Sequence, residues 1–164
     1  MITGMSGVGK SATIGELAAL GYLAVDLDTP EWSQLVPDDS PYAGGTGSVD
    51  WRWREDKVRA LLAGHQGTLF VAGTSTYQAR LYDLLDHVIL LSVPTQVAVR
   101  RLASRTGNDY GKDPAELDRE MQLRMVVEPL LRRGACLEID TGAHLAKDVA
   151  LMIAEHALQG AACR

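Results

Sequence analysis

The sequence predicts an α/β domain built on a parallel sheet. Apolar, strand-like runs alternate with helix-like stretches along its 164 residues, the pattern of strand–helix–strand crossovers. Three of the runs are nearly continuous in apolar residues, as strands become when helices cover both faces of their sheet. The third observation is a glycine-rich segment, Gly4-Met5-Ser6-Gly7-Val8-Gly9-Lys10-Ser11. Its pattern, G-x-x-x-x-G-K-S, belongs where a strand turns into a helix. At this length one domain over 1–164 is expected, large enough to bury a core.

Taken in order, the first strand is Ile2-Thr3, short beside the roughly five or six residues of an average strand. A helix over 10–20 follows the glycine-rich turn. Ile14, Leu17, Ala18 and Leu20 form its apolar stripe, and Gly21 stops it. Further strands read as Tyr22 to Leu27, Thr68 to Ala72, His87 to Leu91 and Cys136 to Asp140. Further helices read as 51–63, 75–84, 94–105, 114–132 and 143–158. The helix from 114 has the clearest start: Asp113 as cap, Pro114 at the first position and Glu116 three residues after the cap. Two segments break the alternation. Pro30 to Asp50 is rich in Pro, Gly, Ser and Asp, and Thr106 to Asp113 is a polar loop between two helices. Both are expected to close over ligands: a variable substrate segment over about 30–53, and a small lid over about 105–113.

Composition narrows the function. A net charge of −5 argues against a general nucleic-acid surface. No apolar run approaches the ~20 residues that cross a bilayer, and no signal-peptide pattern is present, so a cytoplasmic location without a membrane partner is expected. Cys136 and Cys163 have no metal-ligand spacing. Cys136, in an apolar strand, reads as a packed thiol, and Cys163, in the tail, as a free one. The four histidines carry no chemistry that the sequence can assign. Monomer and homodimer both remain open.

The candidate site begins at the glycine-rich turn. Gly4, Gly7 and Gly9 let the backbone approach a ligand closely. The N–H groups of Gly4–Ser11 and Ala12, with the helix N-terminus behind them, form a cradle for phosphates. Lys10 reaches the outer phosphates of a nucleotide and the Ser11 hydroxyl ligates Mg²⁺. The second strand ends Asp26-Leu27-Asp28, and residues two apart point to the same side. One carboxylate can therefore serve the metal while the other accepts a proton from an attacking hydroxyl. The third strand ends in Gly73-Thr74-Ser75, where nucleotide hydrolases usually carry an acid. That glycine suits either a close approach of substrate or a plain turn. Arg101 and Arg105 share a helix face at the lid and are expected to meet phosphate, where cations stabilise the transferring group. Trp51 and Trp53 are expected to open a helix, one of them packing the loop and one available to a substrate. Arg52, Arg54 and Arg124 are each either an anion contact or a surface charge.

These residues resemble the P-loop kinases of small molecules and nucleotides: shikimate kinases, gluconate kinases, adenylate kinase-like enzymes and some antibiotic phosphotransferases. The likeness runs through Gly4–Ser11, Asp26-Leu27-Asp28, Arg101 with Arg105, and Ile139-Asp140-Thr141, over nearly the whole chain. It implies a three-layer sandwich with a five-stranded parallel sheet in the order 2-3-1-4-5 and a lid. It also implies ATP and Mg²⁺ as cofactors and a small-molecule acceptor. By the same likeness, Asp26 and Ser11 serve the metal. Lys10, Asp28 and Arg105 act in catalysis, and Arg101 and Thr141 lie on the nucleotide side. The acceptor falls to Asp28, Gly73, Thr74, Ser75 and Trp51. The acceptor half departs from the shikimate kinase pattern. Gly73-Thr74-Ser75 replaces a glycine run, and Arg124 stands five residues before Pro129-Leu130 rather than close before it. A nucleoside or nucleotide kinase, an antibiotic-inactivating phosphotransferase and a regulatory nucleotide-binding protein are the alternatives. A GTPase is disfavoured by the lack of a guanine-reading Asn-Lys-x-Asp.

Overall fold

The computed structural model describes residues 1–39, 47–106 and 110–159. Residues 44–46 of the glycine run, 107–109 of the lid, and Cys163 lie outside these. Five parallel strands, β1 (Ile2–Thr3), β2 (Leu23–Asp26), β5 (Leu69–Ala72), β6 (Ile89–Ser92) and β7 (Leu137–Asp140), form one sheet in the order β2-β5-β1-β6-β7. Counting only these five, the order is 2-3-1-4-5, as the resemblance implied. Two-residue β1 is enough for the centre of the sheet. Ile2 pairs with Ala72 on one side and Ile89 on the other, and Thr3 pairs with Leu90.

The helices are α1 (Lys10–Ala19), α2 (Glu55–Gly64), α3 (Thr95–Ser104), α4 (Pro114–Gly134) and α5 (Ala146–Leu158). The core divides as side-chain alternation requires. Phe70 and Ala72 pack with Ile14 and Leu17 of α1 and Val149 and Ile153 of α5. Val71, between them in sequence, packs with Val58 of α2, Leu81, Leu27 and Trp53. Among the described residues no helix is long and apolar enough to cross a membrane.

Four expectations are corrected. The segment Pro30–Asp50 is not irregular throughout, and Trp51 and Trp53 do not open a helix. Residues Ser33–Pro37 (β3) and Val49–Trp53 (β4) form an antiparallel pair, with Ser33 opposite Trp53 and Leu35 opposite Trp51. The run Val49-Asp50-Trp51-Arg52-Trp53 alternates with period two and is built of residues that favour strands, so α2 begins only at Glu55. The expected helix over 75–84 is a 3-10 helix at Gln78–Leu84. It starts late because the Gln78 side chain is drawn back to the Ser75 N–H and the Thr3 hydroxyl. Finally, Asp113 caps α4 through the Ala115 N–H (2.7 Å), but Glu116 turns away from a reciprocal capping box and accepts the Gly111 N–H of the lid instead (2.9 Å).

Candidate active site

The C-terminal ends of β1, β2 and β5 meet at one point. Gly4, Gly7 and Gly9 all have positive φ, which the turn from β1 into α1 requires. Met5 and Val8 bury their side chains in the core, leaving the loop backbone to face the cleft. Lys10, at the first position of α1, folds back over the loop. Its Nζ donates to the Gly4 carbonyl (2.7 Å) and lies 3.6 Å from Asp28 Oδ2.

The two aspartates that end β2 divide their tasks. Asp26 Oδ2 accepts the Ser11 hydroxyl at 2.6 Å, on the open side of the cleft, while Oδ1 accepts the Asp28 N–H. Ser11 and Asp26 thus present two hard oxygen ligands side by side, the donor set that Mg²⁺ takes. Asp28 Oδ1 accepts from Trp53 Nε1 (3.2 Å) and the Thr74 N–H (3.2 Å). The Asp28 side chain keeps 29% of its surface open. Even so, the surrounding protein desolvates it enough to raise its carboxyl above the usual range, against the opposing pull of Lys10 and these two hydrogen bonds.

Gly73 is why this arrangement closes. It sits at φ +156°, and a Cβ there would lie 2.7 Å from Asp28 Oδ1 and 2.9 Å from the Trp53 ring. The groups that crowd Gly73 are the protein's own, the Asp28 carboxylate and the Trp53 ring. Thr74 ties the end of β5 to the glycine-rich loop, its hydroxyl donating to the Gly4 carbonyl (2.7 Å). Ser75 is buried and gives its N–H to Gln78. Trp51 is half-buried, its Nε1 donating to the Asp28 carbonyl (3.1 Å). Both tryptophans therefore brace Asp28, and Trp53 is the one that touches the carboxylate.

A match to the AAA_18 family, described as an AAA domain, extends over residues 1–124. The chain belongs to this P-loop family. Among curated proteins, the shikimate kinase of Mycobacterium leprae is 30% identical over 151 residues, covering 88% of this chain and 74% of that protein. The shikimate kinase of Mycobacterium tuberculosis is 30% identical over 145 residues, covering 86% and 82%. In fold the chain is similar to the shikimate kinase of Acinetobacter baumannii in complex with shikimate, with TM-score 0.63, 21% identity and coverage of 96% and 91%. It is also similar to a tunicamycin resistance protein of Deinococcus radiodurans, with TM-score 0.55, 23% identity and coverage of 95% and 92%. The chain is a P-loop small-molecule kinase.

In this P-loop kinase the arginines are bound to protein. Arg101 Nη1 donates to Thr141 Oγ1 (2.9 Å) and, more weakly, to the Gly7 and Val8 carbonyls, while Nη2 donates to the Thr141 carbonyl (2.8 Å). Thr141 donates to the Val8 carbonyl (2.6 Å). The pair clamps the P-loop to the turn after β7. Arg105 ends α3 and joins the lid, its guanidinium over the Tyr110 ring and donating to the Tyr110 carbonyl. Arg124 is no surface charge. It is 5% exposed, paired with Glu128 one turn on (3.0 Å), and donates to the Val93 and Ser6 carbonyls. Arg52 pairs with Asp39 and Asp50 and lies over Tyr77.

Sequence reasoning missed Glu120. It is 3% exposed, accepts the P-loop Ser6 N–H at one oxygen (2.9 Å) and the lid Tyr110 hydroxyl at the other (2.9 Å). An acidic residue mid-helix gives no motif. Its only sequence signal is its place one turn before Arg124, on the same face.

Proposed function

We propose that this kinase transfers the γ-phosphate of ATP to a hydroxyl of a small-molecule acceptor. The observation that carries the reading is Asp28, a desolvated carboxylate of raised pKa beside the P-loop lysine. A carboxyl shifted upward in this way is a stronger proton acceptor than an ordinary aspartate. The acceptor oxygen gains a bond to the γ-phosphorus as the bond to the bridging β–γ oxygen breaks, and its proton passes to Asp28. Lys10 stabilises charge on the transferring group and Arg105 approaches it with the lid. Ser11 and Asp26 are the ligands we assign to Mg²⁺, which neutralises phosphate charge when bound. Arg101 and Thr141 form the adenine-side wall. Gly73, Thr74, Ser75 and Trp51 back the acceptor side.

The names of the relatives make shikimate the first acceptor to test. Arg124 does not support carrying it over outright, because that guanidinium is committed to Glu128 and to two backbone carbonyls. The test is ADP release from Mg-ATP across cyclic hydroxy acids, sugars, nucleosides, nucleoside monophosphates and hydroxylated antibiotics, with Lys10→Ala as the blank. Strong stimulation by one class, absent from the blank, is expected. ATP binding with no stimulation by any class would move the protein to a regulatory role.

A further inference from the structure

The edge of the sheet remote from the P-loop carries a second cluster of reactive side chains. His87 lies just before β6, Cys136 just before β7, and His156 in the last turn of α5. One ligand atom from each lies within 4.8 Å of the other two. The Cys136 Sγ to His156 Nε2 separation is 3.8 Å, and the two imidazoles meet edge to face with centroids 5.0 Å apart. None of the three takes part in the proposed phosphoryl transfer. The spacing in sequence, 87, 136 and 156, has no ligand periodicity, so the cluster exists only through the fold.

Cys136 corrects the sequence expectation: it is disulfide-bonded and exposed rather than a packed thiol. A disulfide sulfur beside two imidazoles is a poor ligand, and a thiolate in the same place is a strong one. We propose that, once this disulfide is reduced, Cys136 Sγ, His87 and His156 bind a zinc-type divalent cation, leaving a fourth position for water. Two imidazoles and a thiolate are a donor set that tetrahedral zinc takes, and soft sulfur disfavours Mg²⁺ there. In a tetrahedral site adjacent ligand atoms stand about 3.3–3.8 Å apart, given metal–ligand bonds of about 2.0–2.3 Å, so small side-chain rotations suffice. Sγ would exchange its 3.3 Å contact with the Val88 carbonyl for the metal. Burial and the neighbouring His156 hold the His87 imidazole below its ordinary pKa, which favours the neutral, ligating form. The site would pin the end of α5 to the starts of β6 and β7.

The chemistry balances with a phosphine as reductant. The phosphine takes oxygen from water to become its oxide, and its two electrons and the two protons of that water turn the disulfide into two thiols. Binding then replaces the S–H bond of Cys136 by a sulfur–metal bond and releases one proton.

The test titrates cobalt(II) into phosphine-reduced full-length protein. We expect one equivalent to give an intense near-ultraviolet sulfur-to-cobalt band with visible bands of tetrahedral intensity, both discharged by zinc. Cys136→Ser should lose the near-ultraviolet band, and His156→Ala should weaken binding more than about tenfold, at least the cost of disturbing a metal's supporting partners. Unreduced protein should give no such band. Equal spectra from Cys136→Ser, or none from the reduced native chain, would overturn the site. Metal-free melting curves and nucleotide binding at the opposite sheet edge keep a folding defect separate from lost ligation.

Discussion

Asp28 ties local chemistry to stability. Its native pKa is raised, chiefly by desolvation, so between the unfolded and native values the folded state holds the extra proton. Stability from this group is greatest below the unfolded value of 3.8 and is lost as pH rises through the native value. Asp28→Asn removes the ionisable group but keeps an oxygen to accept from Trp53 and Thr74. It should melt at a higher temperature than the native protein at pH 7, and the difference should shrink towards pH 4. Turnover should fall by about 10²–10⁴, the usual share of a proton acceptor, with ATP affinity little changed. A native melting temperature at pH 7 together with native turnover would remove Asp28 from the mechanism. Trp53→Phe tests the brace more finely. Losing the Nε1–H donor removes a contact that holds the Asp28 pKa down. The acidic limb of the kcat/KM pH profile should therefore move to higher pH while the ring still fills its place beside Gly73. An unmoved limb would mean that Asp28 is not the group titrating in that profile.

At the scale of elements, the sheet and its loops differ in how legible they were. Apolar runs announced β2, β5, β6 and β7, of which only β5 and β6, inside the sheet, are largely buried while the edge strands β2 and β7 keep exposed residues, and the Asp113-Pro114 start announced α4. The β3–β4 pair was hidden because Ser33-Gln34-Leu35-Val36-Pro37 carries little apolar alternation. Its partner strand also ends against Arg54 and Glu55, which read equally well as the start of a helix. Placement of Asp28 depends on that pair, since β4 supplies both tryptophans. The same holds for α4: its cap was readable, but its link from lid to P-loop through Glu120 required the fold. Glu120→Ala would leave the Ser6 N–H and the Tyr110 hydroxyl without their acceptor, costing about 1–3 kcal/mol. Glu120→Gln keeps an acceptor for Ser6 and offers Tyr110 an amide donor, reversing that hydrogen bond, and should restore most of it. We expect urea melts to show that order, Ala below Gln and Gln near native. We expect KM for ATP to rise in the Ala variant. Equal loss in both variants would mean that the negative charge, rather than the pair of hydrogen bonds, is what the site needs.

Across the whole molecule, the site follows from parallel strands. Because all five run the same way, the residues after β1, β2, β5 and β7 arrive at one edge, which is where α/β folds bind ligands. That is why Gly4–Ser11, Asp26, Asp28, Gly73 and Thr141 could be gathered from sequence although they span most of the chain. The same parallelism sends His87 and Cys136 to the opposite edge, where the reading had no reason to look. A ligand gripped by several chain segments exists as a site only in the native state, so it stabilises the fold by mass action. At nucleotide a hundredfold above its Kd the gain is about 2.7 kcal/mol. For a chain of this size that is about 5–11 °C in Tm, at about 2–4 °C per kcal/mol. Thermal melts with Mg-ATP should show that rise in the native protein and in Asp28→Asn, whose carboxylate we assign to the acceptor. In Lys10→Ala the rise should be largely lost, because that variant removes the cation beside the P-loop. An equal rise in Lys10→Ala would place the nucleotide away from the P-loop. A rise lost in Asp28→Asn alone would move Asp28 from the acceptor hydroxyl to the nucleotide itself.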